Sequence, residues 1–350
     1  MRTSEKQESV AAYWNRVLAP YKKADTRRAV IQLLDTAAPF IGLWVVMLVS
    51  LNISYFLTLL FAIPTAGLLV RLFIIQHDCG HGSFWRSPRA NHALGFALGV
   101  LTLTPYRYWR RTHAIHHATS GNLDRRELGD VSTLTVAEYR SASRWRRIAY
   151  RLYRHPVVLL ILGPIWQFLI KHRLPFDAPR SWRAEWASVL LTDLAVAAVV
   201  TTMALTVGFV PFLLVWVPIF VLSGAAGVWL FYVQHQFEDT YWERQEEWDF
   251  HLAGIQGSSF YDLPAVAHWF TGNIGYHHVH HLSSKIPNYR LRQCMAEVPD
   301  LAHVTRLTFR QSLACIHLTL WDEAKGKLVR FRDLRRSGSA TSRLLPNPRS

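Results

Sequence analysis

Apolar residues in this chain gather into long unbroken runs instead of the narrow stripes of a soluble helical protein. Residues 37–52 carry no charge, and a second run from Tyr55 stays uncharged until Arg71. Residues 187–234 form a longer apolar tract interrupted by a single charge, Asp193. Gly208 and Pro211 near its middle predict a tight turn between two helices. A bilayer core about 30 Å thick takes roughly 20 apolar helical residues per crossing. The runs therefore predict an all-α integral membrane protein with four transmembrane helices in two hairpins, at about 37–53, 55–75, 187–207 and 211–234. Two shorter stretches, 93–106 and 156–170, are marginal for crossing and predict interfacial or partly buried helices. Residues 1–30 read as a basic amphipathic lead-in lying on the membrane, with no signal peptide. Residues 235–325 read as a helical cap. Residues 1–325 are expected to form one domain, and 326–350 a basic, disordered tail.

Charge orients this arrangement. The chain has 350 residues and a formal charge of +15. Lys and Arg are absent from the hairpins between residues 36 and 70 and from 187 to 234, and dense in 1–35, in 76–186 and after 240. The positive-inside rule places those segments in the cytosol, together with both termini. The expected location is the bacterial inner (plasma) membrane. The excess of base then has a topological meaning, and it suits anionic headgroups or an acidic soluble partner. Nucleic-acid binding is the competing reading of such charge, and the spans argue against it. Cys79, Cys294 and Cys315 show no paired spacing and imply no disulfide framework.

The chemistry lies in histidines. "HDCGH" places His77 and His81 at i,i+4 where the second span leaves the membrane. "HAIHH" places His113, His116 and His117 at i, i+3, i+4. "HHVHH" repeats that spacing with His277, His280 and His281, and turns His278 elsewhere. Each set gathers its imidazoles on one face of a helix. His235 sits where the fourth span ends, at the depth of His77, and His268 is its rival as an extra ligand. So many imidazoles with so few thiolates exclude a structural zinc site of four ligands. Two ions with open positions use about this number, and two iron ions (Fe2+/Fe3+) that activate dioxygen fit best. Metal-bound imidazoles need acceptors for their second nitrogen. Asp78, Asp124, Asp130, Glu238, Asp239 and Asp249 are candidates, and Asn273 could face the metals directly or through water.

These boxes, with "GNIGYHHVHHLSSKIPNYRL" around the last, resemble the integral-membrane fatty acid desaturases of the three-histidine-box type. The likeness is closest to the acyl-lipid omega-6 (delta-12) branch and covers roughly residues 35–300. It implies four spans, a cytosolic di-iron site and dioxygen-dependent insertion of a cis double bond into a lipid-linked acyl chain. The family's box histidines fall on His77, His81, His113, His116, His117, His277, His280 and His281. Its additional ligand falls on His235. No haem-binding HPGG motif is fused to the chain, so a separate electron donor is implied, with ferredoxin favoured over a b-type cytochrome.

An unactivated methylene has no acidic proton, so bound metal must carry its oxidation. Trp242, Trp248, Phe260, Tyr261, Trp269 and Phe270 could line a tunnel for the acyl chain, serve as an interfacial belt, or fill the core of the cap. A related membrane hydroxylase acting on alkanes or carotenoids could use the same histidines. A metal transporter or sensor is a second alternative, and it predicts polar ligands within the spans, where Asp193 is the one acid.

Overall fold

The computed structural model describes residues 2–126 and 128–334. Four helices are long and apolar enough to cross a membrane: α2 (Thr26–Ser50), α3 (Tyr55–His81), α9 (Arg183–Thr206) and α10 (Phe209–His235). They form the two expected hairpins. A hydrogen bond of 2.7 Å between Ser50 and Thr58 ties the first pair beside its turn. Gly208, at φ 92°, turns α9 into α10, a conformation that glycine adopts without a Cβ clash. The helices outrun the apolar runs. α2 begins at Thr26, well before residue 37, because Asp25 caps it by accepting from Arg28 N. Hydropathy marks the stretch that suits lipid, whereas the cap marks where the helix starts.

The lead-in does not merely rest on the membrane. α1 (Arg2–Leu18) brings Trp14 and Leu18, followed by Tyr21, into one buried cluster with Ile274, Val279 and Leu291. Tyr21 also donates to Glu297 at 2.8 Å. The N-terminal segment thus closes the back of the cap that carries the last histidine box.

The two marginal stretches become α4 (Pro88–Leu101) and α8 (Val158–Lys171). α4 packs Leu98 into a cluster with Leu72, Ile75 and Cys79 of α3. α8 follows α5 (Tyr106–Thr119), α6 (Val136–Ser141) and α7 (Arg144–Tyr153), and meets α7 at a bend of 68°. Both its ends are wound as π-helix. Leu159 shares a cluster with Leu230 of α10, Pro164 lies under Gly224, and the ring of Phe168 is 6.2 Å from that of Phe220. α8 therefore descends beside α10, away from the His235 end. Phe220 precedes His235 by fifteen residues, or about 22 Å at 1.5 Å rise. The chain must then return, because α9 starts at the His235 end of the hairpin. α8 with the segment after it is a re-entrant loop, not a fifth span. Within it Arg173 forms an ion pair with Asp193, which gives the acid of the third span a partner.

Beyond α10 the cap holds α11 (Phe250–Gln256), α12 (Ala265–Phe270), α13 (His277–Leu282), α14 (Asn288–Glu297) and α15 (Phe309–Cys315). Short strands stitch it together. β1 (Leu134–Thr135) runs parallel to β4 (Leu320–Asp322), which pairs antiparallel with β5 (Lys327–Val329). β2 (Phe260–Asp262) runs parallel to β3 (Arg306–Thr308). β5 revises the expected tail: Leu328 and Val329 are buried, so ordered chain continues past residue 326. Residues 335–350 lie outside the described residues.

Candidate metal centre

Three helix ends and one short helix converge. The last turn of α3 supplies His77 and His81, α5 supplies His113, His116 and His117, α10 ends on His235, and α13 supplies His277, His280 and His281. α5 is seated by hydrogen bonds from Tyr106 to the Cys79 carbonyl at 2.8 Å and from Tyr108 to Asp177 at 2.5 Å. α13 follows a left-handed turn at Gly272 and Asn273, with φ values of 54° and 58°. Asparagine tolerates that region better than most residues. The end of α10 is held by Arg154, which is 3% exposed and donates to Tyr232 at 2.9 Å and Gln236 at 3.0 Å.

The nine imidazoles sort into two sets. His77, His81, His113, His117 and His280 form one, and His116, His235, His277 and His281 the other. Within each set the donor nitrogens lie within 4.8 Å of one another. The sets touch: the rings of His117 and His281 stack at 4.2 Å. Helix geometry explains the sorting. At 100° per residue, positions i and i+4 differ by only about 40°, whereas i+3 and i+4 differ by about 100°. His113 and His117 therefore share one set while His116 turns to the other. His277 and His281 share the second set while His280 turns to the first.

Several donors have nothing to bond. His81 Nε2, His116 Nε2 and His281 Nε2 are buried without a hydrogen-bond partner. His235 Nε2 and His277 Nε2 approach to 2.9 Å, and His117 Nε2 and His280 Nε2 to 3.0 Å. Buried polar atoms are normally satisfied. A group of inward lone pairs at this spacing fits a bound cation in each set. Burial, reinforced by the surrounding imidazoles, holds His113, His117, His277, His280 and His281 well below the usual histidine range. The rings are neutral at physiological pH, the state in which imidazole ligates.

Acceptors for the second nitrogen are present at three rings. His77 Nδ1 lies 3.1 Å from Asp78, whose other oxygen accepts from Asn288 N and Nδ2. His116 Nδ1 lies 2.5 Å from Asp130, and His235 Nδ1 lies 3.0 Å from the Gly257 carbonyl. Three of the other candidates are engaged elsewhere. Glu238 bonds Lys327 at 2.9 Å on the surface, Asp124 bonds Arg244 at 2.7 Å, and Asp249 caps α11 through His251 N and Leu252 N. Asn273 enters the site's architecture through its backbone turn. His268 stacks on Tyr276 at 5.0 Å and belongs to neither set, and His278 points to Met295 Sδ at 3.4 Å.

Two parts of the site have weak sequence signals. Trp109, four residues before His113 on α5, stacks on it at 4.5 Å and 17°. Gly80, inside the first box, makes room for that ring, since a Cβ there would sit 2.7 Å from Trp109 Cζ3. The six aromatics considered for a tunnel scatter. Trp242 and Tyr261 fill one core, Phe260 joins a second, Phe270 packs into a third beside Gly67, and Trp269 lies under Arg71. Trp248 donates to the Ser120 carbonyl.

Comparison with known proteins settles the family. The sequence model described as fatty acid desaturase matches residues 53–312. The chain belongs to the fatty acid desaturase family. It is 49% identical over 318 residues to a fatty acid desaturase of Bacillus subtilis, covering 91% of this chain and 90% of the relative. It is 31% identical to an sn-1 acyl-lipid omega-3 desaturase (ferredoxin) of Synechocystis, covering 71% and 69%. An sn-1 oleoyl-lipid 12-desaturase of Anabaena variabilis is 26% identical, covering 77% and 75%. This desaturase is thus a membrane enzyme whose four apolar helices carry a histidine centre at one end of the spans.

Proposed function

We propose that this desaturase inserts a cis double bond at the omega-6 (delta-12) position of lipid-linked acyl chains. In this reading it uses dioxygen and two irons held by the nine histidines. The observation that carries it is the pair of adjoining imidazole sets, five and four rings, built from shared helices. All-imidazole donor sets suit iron among the first-row metals. When bound, the iron pair supplies the oxidising power that removes hydrogen from an unactivated methylene. Overall, the two hydrogens that leave the substrate with their electrons, two electrons from a donor and two further protons would convert one dioxygen to two waters.

The chain's own residues do the rest. Asp78, Asp130 and the Gly257 carbonyl fix ring orientation at His77, His116 and His235. Trp109 on His113, and Phe231 at 5.1 Å from His116, screen the rings from water. The ferredoxin-dependent and oleoyl-lipid relatives support a ferredoxin donor and a lipid-linked substrate. The density of base at the histidine end supports a cytosolic active site in a bacterial plasma membrane.

Expression in a host that makes only monounsaturated lipids, followed by location of double bonds, tests this reading. A diene with its new bond nearer the methyl end is expected. A first bond in saturated chains would redirect the regiochemistry, and an alcohol would redirect the reaction to hydroxylation. Unchanged lipids, with iron and donor verified, would sink the desaturase assignment.

A further inference from the structure

A second feature adjoins the metal sets. Where α3, α5 and α9 meet, a cleft of about 530 Å3, partly open to solvent, reaches down to His81 and His113. Four cationic side chains line it, Arg107, Arg110, Arg111 and Lys285, against one carboxylate, Glu185. Arg111 bonds Glu185 at 3.1 Å and stacks 3.9 Å over Trp182. Lys285 donates to the His81 carbonyl at 2.7 Å, which leaves its charge unneutralised. The cleft therefore holds a net positive charge, with the guanidinium groups of Arg107 and Arg110 outside any ion pair among the described residues.

Its level is set by α9. Glu185 lies in the first turn of that span, and Ser188 one turn on accepts from Arg107 N at 3.1 Å. Trp182 and Trp186 flank the same level, as tryptophans do at a headgroup boundary. The shape selects a small ligand. A protein partner needs a patch of about 800 Å2, whereas a concave site of several hundred Å3 suits a small molecule. Guanidinium groups in such a site favour phosphate.

We propose that this cleft binds the phosphodiester headgroup of an anionic lipid and anchors the acyl substrate beside the first histidine set. The proposal rests on the desaturase reading of the centre. A soluble acyl thioester with phosphates offers the same chemistry, and the membrane level of the cleft favours the lipid.

The test uses full-length holoenzyme in lipid nanodiscs, with phosphatidylglycerol and an uncharged galactolipid carrying identical acyl chains. The expected wild-type preference in kcat/KM for the anionic lipid is about tenfold, the effect of one charge-assisted contact. Arg107→Gln with Arg110→Gln should bring that ratio to about one, through KM, and the paired Lys variant, which keeps the charge without the guanidinium fork, should restore part of it. Iron content and melting temperature report whether each variant folds. Binding of dihexanoyl phosphatidylglycerol, followed by tryptophan fluorescence, needs no turnover and should weaken in the Gln variant. Equal turnover on both lipids, or an unchanged ratio in the Gln variant, overturns the proposal. So does tighter binding of inorganic phosphate or an acyl-CoA than of the lipid, or a variant that raises only the KM for ferredoxin. Wild-type binding of the lipid without any alkene would sink the desaturase reading and leave the cleft standing.

Discussion

At the scale of residues, the centre depends on imidazoles kept dry and neutral. In the unfolded chain His113, His117, His277, His280 and His281 take up protons near the ordinary value of 6.5, whereas burial keeps them unprotonated when folded. The unfolded state then binds more protons, so stability falls as pH drops below about 6.5. Metal-free protein should unfold more readily at pH 5.5 than at pH 8, and a flat profile would show rings open to water. If the centre holds two irons as proposed, His116→Ala should abolish turnover and leave about one iron per chain, with membrane insertion intact. Asp130→Asn keeps a hydrogen bond to His116 and loses the charge, so a roughly 10- to 100-fold loss of metal affinity or activity is expected. Chelator titration and kinetics read the two effects. Asp130 and Glu238 were equal candidates in the sequence, because position in a loop says nothing of where a carboxylate points. The structure puts one against His116 and the other on Lys327.

At the scale of elements, helical periodicity made most of the site legible, and the same periodicity divides it. Reading each triplet as one ligand face gathered the right helices but not the grouping, because the 100° step between His116 and His117 sends them to different sets. The packing that steadies α5 against α3 was harder to see, because it rests on Gly80, a residue without a side chain. Gly80→Ala improves helix propensity by about 1 kcal/mol yet drives a Cβ into Trp109. The expected net result is lower iron occupancy in the set that holds His113, with a change in the iron spectrum, at little cost in expression. Full occupancy and an unchanged spectrum would show that Trp109 adjusts freely. α8 was legible as a marginal apolar stretch. Its depth was not, because hydropathy does not distinguish a helix lying along the interface from one that dips and returns.

For the whole molecule, the four spans and their hairpin order could be read from run lengths alone, while the cap could not. Its cores join segments as far apart as Leu18 and Leu291 through short strands and single turns, which no local pattern announces. Leu18 is 1% exposed and shares its cluster with Val279 between the histidines of α13. Leu18→Ala should cost about 2–5 kcal/mol and hasten iron release, measured by thermal unfolding and chelator kinetics in detergent. A variant that melts like wild type would mean that α1 is dispensable to the cap.

The dip of α8 also bears on how this protein's topology would be mapped. Cysteines introduced at Ile161 or Trp166 should resist aqueous thiol reagents applied from either compartment, as a true crossing would. Reporter fusions at residues 172–182 and after residue 334 should nonetheless report the same compartment. Counting shielded segments would therefore assign the C-terminus to the wrong side, and the fusions would correct it.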